Sequence, residues 1–274
     1  MARIALTGAA GNVGRALLEG FEDHDLVAFT HSEHGDVESE LLEVTDPDAV
    51  AEALSGFDAV VHLAGASSPD ADWETVSEVN VEGTKHVLDA AVENDLDRVV
   101  VASSNHAVGT YNAVDADTER MTLGYAEPVR ADAPASPDSF YGVSKAACEA
   151  LGERYAHHTD LTVVSLRIGW YLPPERLRET VAEADPERAR FARAMWLSPR
   201  DCRDVHERAA TADLPRPAVT VNAVSANDER YFSLTEAMRT LGYEPRDNAD
   251  ETLDGETGGT LTDDGALGGE AGGR

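Results

Sequence analysis

A phenol and an ammonium stand four residues apart in Tyr141-Gly-Val-Ser-Lys145. On a helix, positions i and i+4 share a face, so the two groups project together. A phenol ordinarily titrates at about 10, and a neighbouring cation favours its phenolate, which makes Tyr141 a candidate general base. The spacing itself is common. What singles out this instance is composition, because Lys85 and Lys145 are the only lysines among 22 cationic side chains.

A second group of residues has the chemistry of phosphate binding. Gly8-Ala-Ala10-Gly11-Asn12-Val13-Gly14 follows an apolar run at Arg3 to Leu6 and opens a helical stretch. Glycines so placed let the backbone turn tightly and approach a pyrophosphate, whose charge meets the N-terminus of the helix. The choice between NAD and NADP falls at the end of the second strand, where an acid would accept the adenosine ribose hydroxyls and a basic residue would favour a 2′-phosphate. Phe29-Thr-His-Ser-Glu33 has neither at that place. Glu33, one or two positions late, tilts the reading slightly towards NAD without excluding NADP. Glu43 and Val44 fall where an acid and its neighbour would line an adenine pocket.

These groups need a scaffold that gathers them. Short apolar runs at Arg3 to Leu6, Leu26 to Phe29, Ala59 to Leu63, Arg98 to Ala102 and Thr162 to Arg167 alternate with helical stretches near Val13 to Glu19, Pro47 to Leu54, Trp73 to Glu93 and Tyr141 to His157. That alternation predicts an α/β fold with a doubly wound parallel sheet of the Rossmann type. A late strand at Ala218 to Val224 and a helix from Ser233 to Leu241 follow, with Ser233 as N-cap and Gly242 just past the end. The expected division is a dinucleotide-binding core over residues 1–169, a small C-terminal substrate lobe over 170–247 and a disordered tail over 248–274. The tail holds eight glycines and seven acids in 27 residues. The polar stretch from Asn112 to Pro137 is too long for an ordinary connection and reads as an excursion or lid. The five arginines between Leu172 and Arg193 are either a solvated helix face or an anion-binding lobe.

Ligands of open α/β sheets lie at the carboxyl ends of the strands. The fourth strand candidate runs into Ser103-Ser104-Asn105-His106, where Ser104 can hydrogen-bond a reacting oxygen and Asn105 and His106 can meet sugar hydroxyls. His62-Leu63-Ala64-Gly65, at the end of the third, offers a tight turn of small residues against a cofactor.

Charge sets further limits. With 52 Asp and Glu against 22 Lys and Arg the net charge is −30, which disfavours nucleic acid and anionic membranes as partners. At 42% hydrophobic residues the chain can still bury a core, so the charge points to a globular enzyme working in concentrated salt, where self-repulsion is screened. Two widely spaced cysteines indicate neither a disulfide framework nor a metal site. The first ten residues do not resemble a signal peptide, and the expected location is the cytoplasm.

Gly8-x-x-Gly11-x-x-Gly14, His62-Leu-Ala-Gly65, Asn80-x-x-Gly-Thr84, Ser104 and Tyr141-x-x-x-Lys145 together resemble the extended short-chain dehydrogenase/reductase superfamily, the NAD-dependent epimerase/dehydratase family. Ser103-Ser-Asn-His-Ala-Val-Gly109, Arg167-Ile-Gly169, Met195-Trp-Leu-Ser198 with Arg200-Asp201, and Ser225-Ala-Asn-Asp228 are similar to its sugar-oxidising branch of uronate dehydrogenases and halophile NAD-dependent glucose-6-phosphate dehydrogenases. The resemblance implies oxidation of a sugar at C1 to a lactone, with the sugar a glucose 6-phosphate, a uronate or a free aldose. Tyr141 would be the base, Lys145 its partner and a ligand of the nicotinamide ribose, and Ser104 the group that steadies the oxygen. Gly8, Ala10, Gly11, Asn12, Val13, Gly14, Glu33, Glu43, Val44, Leu63, Ala64, Gly65, Asn80 and Ile168 would join them around the cofactor. Ser67, Asn105, His106 and Trp170 would contact the sugar. Trp170 stands where uronate dehydrogenases carry a small hydroxyl residue, so the identity of the sugar is open. A sugar epimerase, dehydratase or ketoreductase, and a non-catalytic NAD(P)-binding protein, are the alternatives on the same fold. The resemblance also implies a homodimer paired through the helices containing Trp73 to Glu93 and Tyr141 to His157.

Overall fold

The computed structural model describes residues 1–113 and 128–255. Its centre is a seven-stranded sheet in the order β3-β2-β1-β4-β5-β6-β9. The strands are β1 Arg3–Thr7, β2 Asp25–Thr30, β3 Glu40–Leu41, β4 Ala59–His62, β5 Arg98–Ser104, β6 Thr162–Ile168 and β9 Ala218–Ala223, and every pairing is parallel. β1, β4, β5 and β6 are buried almost throughout, as strands covered on both faces must be. A two-residue pair, β7 Trp170–Tyr171 on β8 Trp196–Leu197, stands beyond the end of β6.

Helices cover both faces. The amphipathic α1 Asn12–Leu17 and α9 Pro199–Thr211 bury Leu17, Val205 and Ala209 against one side, and α2 Pro47–Ala53, α4 Gly83–Glu93 and α6 Phe140–His158 bury Val50, Leu88 and Cys148 against the other. α3, Trp73–Thr75, reaches α4 through a π-helical stretch, Val76–Glu82. After β5 come a 3₁₀ turn, Asn105–Val108, and the short α5, Thr110–Ala113. The turns at the helix starts are capped by the local sequence: Asp46 Oδ1 accepts from the N–H of Asp48 and Ala49, and Ser139 Oγ from the N–H of Gly142.

The predicted small lobe is more compact than residues 170–247. α7 Pro174–Glu183 and α8 Pro186–Met195 form it with α11 Ala249–Asp254 around Leu177, Ala192, Trp196 and Ala249, whereas β9 belongs to the main sheet and α9 packs on it. The segment after residue 247 is therefore ordered at its start, contrary to expectation. Asn248 caps α11 by accepting from the N–H of Asp250, and buried Ala249 anchors it. The rest of the predicted tail, and the middle of the predicted lid between Asn112 and Pro137, lie outside the described residues. α10 spans Thr235–Leu241, two residues later than expected: Ser233 Oγ takes the N–H of Thr235 at 3.4 Å rather than capping a longer helix. Gly242 ends α10 in the left-handed conformation that glycine adopts without strain.

The motifs from Met195 to Asp228 form a polar lock behind the sheet end. Ser198 Oγ caps α9 at Asp201 and donates to Asp247, Ser225 Oγ accepts from Ser198 N–H, and Asn227 Nδ2 donates to the Trp196 carbonyl. Asp201, buried, accepts from the N–H of Arg246 and Asp247, and burial raises its carboxyl above the usual range. Of the five arginines between Leu172 and Arg193, Arg176 pairs with Glu179, Arg178 donates to the Thr252 carbonyl, Arg190 faces Glu229 at 4.0 Å and Arg193 faces Asp250 at 3.8 Å. Arg188 lies over the Trp170 ring, 5.3 Å from its centroid. Arg176 thus lies on a solvated helix face, whereas Arg178, Arg190 and Arg193 reach partners on other segments. Among the described residues no helix is long and apolar enough to cross a membrane.

Candidate active site

The strand order changes direction between β1 and β4, where an open α/β sheet leaves a crevice at its carboxyl edge. A cavity of about 670 Å³ lies there. It is lined by Gly8, Ala10, Gly11, Asn12, Val13 and Gly14 after β1, by Glu43 and Val44 after β3, by Leu63, Ala64, Gly65 and Ser67 after β4, by Ser104 of β5, by Tyr141 and Lys145 of α6 and by Ile168 and Trp170 at the end of β6. These elements meet because every parallel strand ends on the same side. A larger cavity, about 960 Å³ between α6 and β9, contains none of the predicted residues.

The glycines differ in what they do. A Cβ on Gly8 would fall 2.6 Å from Ala64 N, and one on Gly14 would fall 2.5 Å from Gly8 O, so both are demanded by backbone packing at the switch point. A Cβ on Gly11 would meet only Gly8 O, at 3.3 Å. Gly11 precedes α1, whose first N–H groups receive no side-chain cap. Backbone donors at the floor of a cavity, with room for a ligand to approach them, fit a dinucleotide pyrophosphate.

The two lysines are opposites. Lys85 is exposed and pairs with Asp89, whereas Lys145 is buried and donates from Nζ to the Ala102 carbonyl at 2.8 Å, with Nζ 5.6 Å from the Tyr141 ring centroid. Ser104 Oγ accepts from the N–H of His106 at 3.2 Å and caps the 3₁₀ turn. Tyr171, also on the cavity, is pushed up to about 12 chiefly by burial, so it is a hydrogen-bond donor and not a base.

Four predicted residues stand outside the cavity wall. Glu33 is exposed and lies off it; His31 and His34 line it instead. Asn80 is buried and clamps the turn after β4: Oδ1 accepts from Ala66 N–H at 2.7 Å, and Nδ2 donates to Ala66 O and Ser144 Oγ. Asn105 turns its amide towards Ile168 O at 3.4 Å. His106 faces the Asp138 carboxylate through Nδ1 at 2.9 Å and sets its ring edge-on to Tyr141, centroids 5.7 Å apart. A carboxylate on Nδ1 fixes that ring and leaves Nε2 as its other polar edge.

Other side chains support the wall from behind, in contacts that the motifs alone do not define. Thr7 Oγ1 hydrogen-bonds His62 Nδ1 at 2.8 Å and accepts from Ala64 N–H, tying the ends of β1 and β4 together. His62 is pushed down to about 3 by burial, with Lys145 adding to the effect, so its ring is neutral beside the ammonium. Glu149 takes two hydrogen bonds from buried Arg167, both at 2.8 Å, and one from Ser103 Oγ, which joins α6 to β5 and β6. Gly169 allows the β7–β8 pair to close, since a Cβ there would fall 2.3 Å from Met195 O. Among the described residues no group of three His, Cys, Asp or Glu could hold a metal ion.

Residues 4–195 match the NAD dependent epimerase/dehydratase family. The chain belongs to that family. Within it, the chain is 50% identical over 250 residues to an L-arabinose 1-dehydrogenase (NAD(P)(+)) of Haloferax volcanii, covering 91% of this chain and 98% of the relative. It is 36% identical to an NAD-dependent glucose-6-phosphate dehydrogenase of the same organism, over 92% and 97% of the two chains. The fold is similar to the crystal structure of a glucuronic acid dehydrogenase from Chromohalobacter salexigens, with TM-score 0.76 and 28% identity over 95% of this chain and 90% of that one.

The two kinds of glycine give a family-specific prediction. Gly11→Ala retains the melting temperature and weakens NAD⁺ binding about tenfold or more, by blocking the approach to the α1 N–H groups. Gly14→Ala loses melting temperature and NAD⁺ binding together. Calorimetric titration and thermal melts of both variants check this; equal behaviour of the two contradicts the assignment.

Proposed function

We propose that this chain oxidises a free, uncharged aldose at its anomeric carbon to the lactone, with NAD(P)⁺ as hydride acceptor. The observation that carries the choice of substrate is the lining of the cavity. Among the described residues no arginine or further lysine joins Lys145 on it. Four of the five arginines of the adjoining lobe are engaged with carboxylates or a carbonyl, and Arg188 is seated over the Trp170 ring. A phosphorylated sugar or a uronate needs a cationic partner to offset its desolvation; a neutral pentose or hexose needs only hydroxyl partners. The name of the 50% identical relative, L-arabinose 1-dehydrogenase, supports a pentose.

In this reading the dinucleotide, when bound, supplies the acceptor for the C1 hydride. Tyr141 takes the proton of the C1 hydroxyl, as general base. Lys145, held against Ala102 O, keeps a positive charge beside the phenol and has two further N–H groups for the nicotinamide ribose. Ser104 hydrogen-bonds the reacting oxygen, and Trp170 and Ser67 border the sugar. His106, steadied by Asp138, presents its ring beside Tyr141, and Asn80 and Asn105 act through the turns they hold.

The working compartment in this reading is the cytoplasm of a cell with concentrated salt, consistent with the −30 charge and with the free, buried Cys148 and Cys202. Two copies pair through α3, α4 and α6, where Trp73, Val92, Phe140 and Val143 are exposed and the tilted rings of Trp73 and Phe140 lie 6.1 Å apart. Light scattering in molar KCl checks this: a monomer mass contradicts the dimer.

Incubation with NAD⁺ or NADP⁺ and a panel of L-arabinose, other free aldoses, glucose 6-phosphate and glucuronate, followed at the reduced-nicotinamide absorbance, tests the substrate. Free aldoses are expected to react and the two anionic sugars to react poorly. A preference for an anionic sugar overturns the neutral-site reading. Tyr141→Phe is expected to lose about 10²- to 10⁴-fold in kcat while retaining cofactor binding, and full activity in that variant rejects Tyr141 as the base.

A further inference from the structure

The end of β2 bears on the choice between the two dinucleotides. Where an acid would refuse a 2′-phosphate and an arginine would welcome one, the cavity wall after Phe29 and Thr30 is made by His31 and His34. Ser32 Oγ lies 3.3 Å from His31 Nε2 and 3.4 Å from His34 Nε2, with the rings edge to face. The turn is held in place: Thr30 Oγ1 donates to Ser32 O or pairs with Ser39 Oγ, and His34 bridges to Val37 through the backbone.

The permanent charges around this pair are already committed or lie to one side. Arg15 of α1 donates to Ala10 O and ion-pairs with Asp36, whose carboxyl Arg15 holds below the usual range, and Arg15 is not on the cavity. Glu43, after β3, lines the cavity and accepts from Thr45 N–H. Glu33, Glu38 and Glu40, on the turn and on β3, are exposed, and Glu33 is off the cavity wall. The cavity wall at the end of β2 is therefore two imidazoles bridged by the Ser32 hydroxyl, and imidazole is the side chain whose charge changes in the physiological range.

We propose that His31, Ser32 and His34 read the 2′ position of the adenosine ribose, accepting NAD⁺ with neutral rings and NADP⁺ with uptake of protons, so that cofactor preference moves towards NADP⁺ as pH falls. The proposal rests on the dinucleotide reading of the cavity. Neutral imidazole and hydroxyl groups exchange hydrogen bonds with ribose hydroxyls, whereas imidazolium supplies charge-assisted donors to a phosphate. The phosphate's own second ionisation, at about 6, acts in the opposite sense: it strengthens a charge pairing as pH rises, so the two effects separate by sign.

Calorimetric titration of the full chain with NAD⁺ and with NADP⁺, at pH 6.5 and 8.5 and in two buffers of different ionisation enthalpy, tests it. NADP⁺ affinity is expected to fall about tenfold from the lower to the higher pH with measurable proton uptake, while NAD⁺ affinity stays within about twofold. In the double variant His31→Gln, His34→Gln the melting temperature is retained, which shows that the fold is kept, and the pH dependence of NADP⁺ binding disappears. A flat NADP⁺/NAD⁺ ratio in the parent overturns the proposal alone, as does an unchanged pH dependence in the double variant, or its loss in Arg15→Ala. Failure to bind either dinucleotide overturns the cofactor reading and the proposal with it.

Discussion

Lys145 carries its charge into a place where charges are costly. A buried ammonium must be compensated by fixed dipoles or an opposite charge, and here the Ala102 carbonyl at the end of β5 receives it at 2.8 Å. Much of the site follows from that contact. It fixes α6 against β5, which brings Tyr141 to the strand ends. Burial holds the His62 ring neutral, and the ammonium adds to that effect; Gly65 is confined by Asn80, since a Cβ there would lie 2.8 Å from Asn80 Oδ1. The nearest carboxylate along the helix face, Glu149, is taken by Arg167 and Ser103, so it does not neutralise the ammonium.

Around that cation the fold uses backbone where other proteins use side chains. Gly8 and Gly14 let the turn after β1 pack on the turn after β4, and Gly11 leaves the helix N-terminus open to a ligand. This solves a problem set by composition. A chain with a net charge of −30 must bind a dinucleotide that is itself anionic, and uncapped N–H groups attract phosphate without adding a cation. The surface charge and the backbone donors of the site thus act independently.

Local patterns carried most of what was legible in the sequence. The glycine turn, the tyrosine and lysine on one helix face and the alternation of apolar runs are short-range signals, and they located the cavity and most of its wall. What stayed hidden depends on tertiary contact. Thr7 and His62 meet across 55 residues, Asn80 and Ser144 across 64, and Asp138 reaches His106 across 32. Asn80 and Asn105 have the chemistry of ligand contacts, but the fold spends it on turns. Glu33 has the charge that ribose hydroxyls call for, whereas the geometry of the β2 end places His31 and His34 on the cavity. β3, β7 and β8 are two residues each, too short for any alternation to register. The average composition of residues 248–274 conceals one capped, anchored turn at Asn248 and Ala249.

In the proposed reaction the C1 hydride of a neutral sugar passes to the nicotinamide while Tyr141 takes the proton of the C1 hydroxyl. An aldopentose deuterated at C1, turned over with NAD⁺ and examined by NMR, tests it most directly. Deuterium is expected at C4 of the reduced nicotinamide, with a lactone as the first sugar product. Reduced cofactor without the label, or a sugar product that keeps its C1 deuterium, would contradict it.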